Sequence, residues 1–145
     1  MAWYKLAIQP DGDVWLVTSE DFPEVVSFGQ TQEEACRNGR KAIEEAIAAR
    51  IADGEDIPFP LQETNGNGRY VEVPMMVYLK SAIYMIMREK EMTRADLQRA
   101  LGWPHREQID RLFKLDHQTK LSAIEEAFKA LGTPLRIDVP FPHAA

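Results

Sequence analysis

The chain has 145 residues and a mass of 16.5 kDa, enough for one moderate core or two small ones and too little for a large enzyme. With 45% hydrophobic and 28% charged residues it is not a disordered or fibrous chain, and no apolar run nears the roughly 18 residues of a membrane-crossing helix. The net charge of −6 divides unevenly: Met1 to Val73 carries 6 Lys/Arg against 14 Asp/Glu (−8) and Pro74 to Ala145 carries 11 against 9 (+2), which suits one basic and one anionic partner or, more plainly, a solvated acidic surface.

From the N-terminus, Tyr4, Leu6 and Ile8 alternate with Trp3, Lys5 and Ala7, the two-residue period of a half-buried strand and not a signal-peptide core, so the expected location is the cytoplasm without a membrane partner. Pro10-Asp11-Gly12-Asp13 turns the chain, Val14 to Thr18 returns as a hairpin partner, and Val25-Val26-Ser27-Phe28, bounded by Pro23 and Gly29, completes a three-stranded meander. At Thr31 the period becomes helical. Thr31 and Glu34 form a capping-box pair, and Ala35, Gly39, Ala42, Ala46 with Ile43, Ile47, Ile51 make one apolar stripe that ends at Gly54. A loop rich in Pro, Asn and Gly runs from Glu55 to Gly68 before Arg69 to Val73 alternates as a fourth strand.

Beyond Pro74 the pattern is almost wholly helical. Met76, Leu79, Ile83 and Ile86 stripe a first helix that fades near Glu91. Thr93 and Asp96 cap a short second helix with Ala95, Leu97, Ala100 and Leu101 on its apolar side, ending at Gly102. After Gly102-Trp103-Pro104 a third helix buries Ile109, Leu112 and Phe113, and a fourth carries Leu121, Ile124, Phe128 and Leu131 up to Gly132. Leu135 to Val139 alternates as a terminal strand.

A short capped helix, a glycine turn and a second amphipathic helix follow the helix-turn-helix plan, whose second helix enters the major groove; the plain alternative is a helical bundle with a wet charged face. Arg106, Glu107, Gln108 and Arg111 are residue types that read base edges, whereas Arg94, Lys114 and Lys120 suit phosphates. A +2 half neutralises few phosphates, so one copy binds weakly and a homodimer or higher homo-oligomer is expected, with Leu135 to Val139 pairing with its symmetry mate. The carboxylates Asp11, Asp13, Glu20 and Asp21 invite a metal-dependent nuclease reading through Mg²⁺. Against it, Asp11 and Asp13 flank a turn glycine, where such residues serve local hydrogen bonds. His105, His117 and His143 are too dispersed for a metal site and read as surface or capping residues. Lone Cys36 reads as packing, and Met75, Met76, Met85, Met87 and Met92 as core filler. No cofactor, metal or catalytic residue is expected.

The order of these segments resembles the HicB antitoxin family. The resemblance is carried by Asp21-Phe22-Pro23 before Gly29-Gln30-Thr31, by Glu34-Ala35 opening a helix that closes in Asp53-Gly54-Glu55-Asp56-Ile57-Pro58, and by Tyr70-Val71-Glu72-Val73-Pro74. From there to Gly132, including Arg111-Leu112-Phe113, Thr119-Lys120 and Ala130-Leu131-Gly132, the chain is similar to members with a C-terminal helix-turn-helix. The resemblance implies an α+β fold: an antiparallel meander packed on a helix (a partial RNase H-like domain without nuclease activity, residues 1–73), then an all-α helix-turn-helix domain with a short terminal strand for DNA binding and dimerisation (residues 74–145). It implies a non-enzymatic antitoxin that binds a HicA-type toxin, a small basic protein that cleaves messenger RNA with a catalytic histidine, and that represses its own operon through operator DNA. On that view Asp21, Glu24, Asp53, Glu55 and Asp56 steer the toxin electrostatically. One departure bears on the DNA side: Gly102-Trp103-Pro104-His105 holds one residue more than the usual turn, which favours Arg106 and Arg111 over Glu107 and Gln108 as base readers. The alternatives are an RNase H-type nuclease and a solitary repressor whose acidic domain senses a small ligand.

Overall fold

A computed structural model of the chain describes residues 1–143. Strands β1 (Trp3–Asp11), β2 (Val14–Thr18) and β3 (Val26–Gly29) form the expected meander, and β4 (Arg69–Glu72) adds to its other side, giving one antiparallel sheet in the order β3-β2-β1-β4. The register pairs Ile8 with Val17, Val17 with Ser27, and Tyr4 with Val71, so Tyr4, Leu6, Val17 and Val71 share the buried face.

Helix α1 (Gln32–Asp53) covers that face with its predicted stripe: Ala35, Gly39, Ile43, Ala46, Ile47 and Ile51 are all buried. Thr31 accepts from the Glu34 backbone N–H at 3.1 Å and so satisfies one otherwise orphaned donor of the first turn. Gly39 sets how closely helix and sheet approach. A Cβ there would lie 2.8 Å from both Leu6 Cδ1 and Val17 Cγ2, inside van der Waals contact, so glycine exchanges helix propensity for packing depth.

The second half adds α2 (Met75–Glu89), α3 (Arg94–Leu101), α4 (Arg106–Leu112) and α5 (Leu121–Ala130). Thr93 and Asp96 form the full reciprocal capping box of α3, and Gly102 ends it with φ of 68°, a conformation that side-chain-bearing residues take only with strain. Leu97, Ile109, Leu112, Phe113, Ile124, Phe128 and Leu131 meet in the interior, and with α2 they continue the core of the sheet half as one hydrophobic cluster. Tyr84 and Arg88 of α2 bond back to the end of α1 across the Val73–Pro74 junction.

Three sequence expectations need correction. Leu135 to Val139 forms no strand in the single chain, because a strand needs a neighbouring ladder and no other strand lies beside it. Leu121 is exposed although its helical spacing places it with Ile124 and Phe128, since it is the first residue of α5 and overhangs the core. Of the methionines read as core filler, Met87 is buried and Met76, Met85 and Met92 pack partly buried against the core, but Met75 is exposed at the start of α2.

Candidate functional site

Two surfaces carry the charged residues singled out above. The first is built where α1 ends. Arg50, in the last turn of α1, donates from Nε and Nη2 to the two carboxylate oxygens of Glu24, each at 2.8 Å, and from Nη1 to the Asp56 carbonyl at 3.0 Å. Its guanidinium lies 4.9 Å from the centre of the buried Phe22 ring. The Arg50 hydrogen bonds hold the Glu24 carboxyl below its ordinary range against a smaller opposing effect of burial. From the other side Arg88 donates to Asp56 Oδ1 at 2.8 Å and to the Gly54 carbonyl at 2.6 Å, and Tyr84 donates to the Glu55 carbonyl at 2.7 Å. Burial pushes the Tyr84 hydroxyl up, with Arg88 opposing.

The structure therefore gathers Glu24, Asp53, Glu55 and Asp56 at one end of the sheet half and assigns them different work. Glu24 and Asp56 each bind an internal arginine. Asp53 and Glu55 are exposed and make no ion pair among the described residues. Asp21 is half-buried near Tyr4, whose hydroxyl is driven above its ordinary range first by burial and then by the Asp21 charge, and donates to the Pro58 carbonyl at 2.7 Å.

The second surface is the α3–α4 pair. The four residues 102–105 separate the helices, and α4 begins at Arg106. Arg106, Glu107, Arg111, Lys114 and Lys120 are exposed, and Gln108 is half-exposed. Gln108 Oε1 accepts from the His105 backbone N–H at 3.2 Å, which commits one side of its amide to capping α4. Arg94 is half-buried. It donates to Asp110 at 2.9 Å and lies 4.6 Å from the centre of the Phe113 ring, so it ties α3 to α4, while Arg106 meets the same Asp110 oxygen at 3.3 Å. Burial raises the Asp110 carboxyl, but the hydrogen bonds and charges of the two arginines outweigh it and the net shift is downward.

Sequence reasoning missed the residue that fixes this surface. Lys80, on the buried side of α2, is fully enclosed, and its ammonium donates to the carbonyls of Arg111 at 2.8 Å, Lys114 at 2.7 Å and His117 at 2.8 Å. Three donors meet three acceptors, one in the last turn of α4 and two in the loop that follows, beside the helix C-terminus, where the dipole favours a cation. Burial lowers its pKa to about 8, with Asp116 opposing. The available signal was a lysine as the single charged residue in the run from Met75 to Met87. Arg50 and Arg88 were equally unmarked, since only the fold brings them to the loop after α1.

Among the described residues no three His, Cys, Asp or Glu side chains converge as a metal-binding group, and Asp11 and Asp13 sit on either side of Gly12 at the β1–β2 turn. His105 is the N-cap of α4, and Cys36 is a half-buried free thiol on α1. No helix among the described residues is long and apolar enough to cross a membrane.

The end of α1 is thus an acidic patch braced by Arg50 and Arg88, and the α3–α4 pair exposes Arg106, Glu107 and Arg111 with no convergent metal-binding group among the described residues. Residues 3–82 match the family described as the HicB_like antitoxin of bacterial toxin-antitoxin systems, and the chain belongs to that family. Antitoxin HicB of Escherichia coli K12 is 35% identical over 128 residues, covering 88% of this chain and 91% of that protein. Antitoxin HicB 2 of Photorhabdus laumondii is 33% identical over 134 residues (92% and 94%), and Antitoxin HicB of Pseudomonas fluorescens 29% over 137 (94% and 92%).

Proposed function

We propose that this chain is the antitoxin of a HicA-type toxin and the repressor of its own operon. Residues 1–73 hold the toxin-binding surface. Residues 74–145 form a helix-turn-helix domain that binds operator DNA as a homodimer in the cytoplasm. Membership of the HicB-like family carries the reading, and the charge split supports it, since the −8 half suits a basic messenger-RNA-cleaving partner and the +2 half suits DNA once two copies act together. Asp21, Asp53 and Glu55, which make no ion pair among the described residues, steer the toxin, while Glu24 and Asp56 hold Arg50 and Arg88 at the loop after α1. On the DNA side Arg106 and Arg111 read bases with help from Glu107 and Gln108, and Lys114 and Lys120 meet phosphates. Arg94 orients α4 through Asp110. The C-terminal segment Leu135 to Val139, which belongs to no strand in one copy and leaves Ile137 and Val139 exposed, pairs with its symmetry mate.

The protein acts by occlusion, without catalysis of its own. Co-expression with the cognate HicA-type toxin tests the first half of the proposal: colonies should form only when the antitoxin is induced. A gel shift with DNA from upstream of the operon tests the second half. Sustained RNA cleavage by the pure protein in Mg²⁺, lost on replacing Asp11 and Asp13, would overturn the non-enzymatic reading.

A further inference from the structure

We propose that Phe59, on the loop between α1 and β4, is the apolar anchor on which the cationic partner protein docks; the proposal rests on the toxin-binding reading above. Phe59 is 77% exposed, more than any other large hydrophobic side chain among the described residues. An aromatic left in water on a loose loop would carry little meaning, but this loop is pinned on both sides of it. Tyr4 donates to the Pro58 carbonyl at 2.7 Å, and Ile57 is buried. Leu61 exchanges both backbone hydrogen bonds with Trp3, N to O at 2.8 and 2.9 Å. Pro58 and Pro60 restrict the backbone on either side. The ring is thus held out at small further entropic cost, which is the condition for a side chain that fills a partner's pocket.

The ground around Phe59 matches that role. Helix α2 is apolar on nearly every side, and such a helix is normally covered all round. On its outer side Tyr78, Ala82, Met85 and Ile86 line a groove of about 210 Å³ beside Phe59. A second groove of about 400 Å³, on the Ile57 side, is bordered by Asp56, Arg88 and Glu89. Arg88 is paired with Asp56, so the charge left over at the border is that of Glu89, with exposed Glu55 earlier on the same loop and exposed Asp53 at the end of α1. An apolar centre inside a net negative rim fits a basic protein. It does not fit a second copy of this chain, which would set carboxylates against carboxylates.

The test uses the full-length chain and the cognate HicA-type protein carrying an inactivating substitution of its catalytic histidine, with binding followed by biolayer interferometry. Phe59→Ala should weaken binding by at least about 30-fold, mostly through faster dissociation, whereas Phe59→Tyr should stay within about threefold of wild type. The melting temperature and the operator gel shift of Phe59→Ala should not change, because an exposed ring leaves no cavity. Glu89→Lys should slow association and flatten its salt dependence. Wild-type binding with Phe59→Ala within twofold of it would overturn the anchor and leave the antitoxin reading standing. Absence of wild-type binding would overturn both. A halved mass of Phe59→Ala in light scattering, with partner affinity intact, would assign the face to a second copy and also overturn the proposal.

Discussion

Replacing Lys80 by Met keeps the length and apolar stem of the side chain and removes only its ammonium. Three charge-assisted hydrogen bonds of 2.7–2.8 Å disappear. Two of the three carbonyls keep backbone donors, Lys114 N to Arg111 O at 3.3 Å and His117 N to Lys114 O at 3.2 Å, so the His117 carbonyl bears the main loss. A charge-assisted bond contributes about 1.5–3 kcal/mol and a stranded buried acceptor costs about 1–3 kcal/mol. Relief from burying a cation offsets part of this, which leaves a net loss of about 2–3 kcal/mol. For a chain of this size that corresponds to a melting temperature lowered by about 8 °C, readable by far-ultraviolet circular dichroism. Operator affinity measured well below the transition should fall as well, since Arg111 in the last turn of α4 and Lys114 just beyond it are held there. A midpoint within 2 °C of wild type would refute the claim that Lys80 holds the end of α4.

Lys80 itself should titrate near pH 8 in ¹³Cε NMR spectra of the folded chain; a value at or above the ordinary 10.5 would show that burial does not govern it. Glu24 ionises more readily folded than unfolded, so its pairing with Arg50 adds stability above the unfolded value of 4.5 and loses it as pH falls through the lower folded one. The stability gap between wild type and Glu24→Gln should therefore close as pH drops below 4.5, and a gap constant with pH would contradict this. Arg106→Ala or Arg111→Ala should cost about 1–3 kcal/mol on the operator and much less on random DNA, whereas Lys114→Ala should weaken both and reduce the salt slope by about one ion. Equal losses on both DNAs for all three would argue against base reading. Truncation after Thr133 should convert dimers to monomers in light scattering; an unchanged mass would remove the terminal strand as the dimer contact.

The elements that repeat a local rule were legible in the sequence. The period of α1, its Thr31 cap and its Gly54 end needed only neighbouring residues, and so did the Thr93–Asp96 box and the β1–β2 hairpin. Long-range pairings had no such signal. Nothing local told that β4 would join β1 rather than β3, that Arg50 and Arg88 would clasp the 54–56 loop from opposite sides, or that Lys80 would cap a helix more than thirty residues away. Composition located the acidic candidates only as a group. All four face solvent; which of them are paired depends on which arginine the fold brings near, and that divides Glu24 and Asp56 from Asp53 and Glu55. Leu135 to Val139 failed for the complementary reason: alternation is a property of the segment, but a strand is a property of a pair.

The most direct measurement is a titration of the purified chain into the active cognate HicA-type enzyme acting on a labelled messenger RNA. Cleavage should fall linearly and stop at a fixed molar ratio, as a tight occluding complex requires. Cleavage that continues unchanged in a tenfold excess of folded protein would contradict the central claim that this chain masks a ribonuclease.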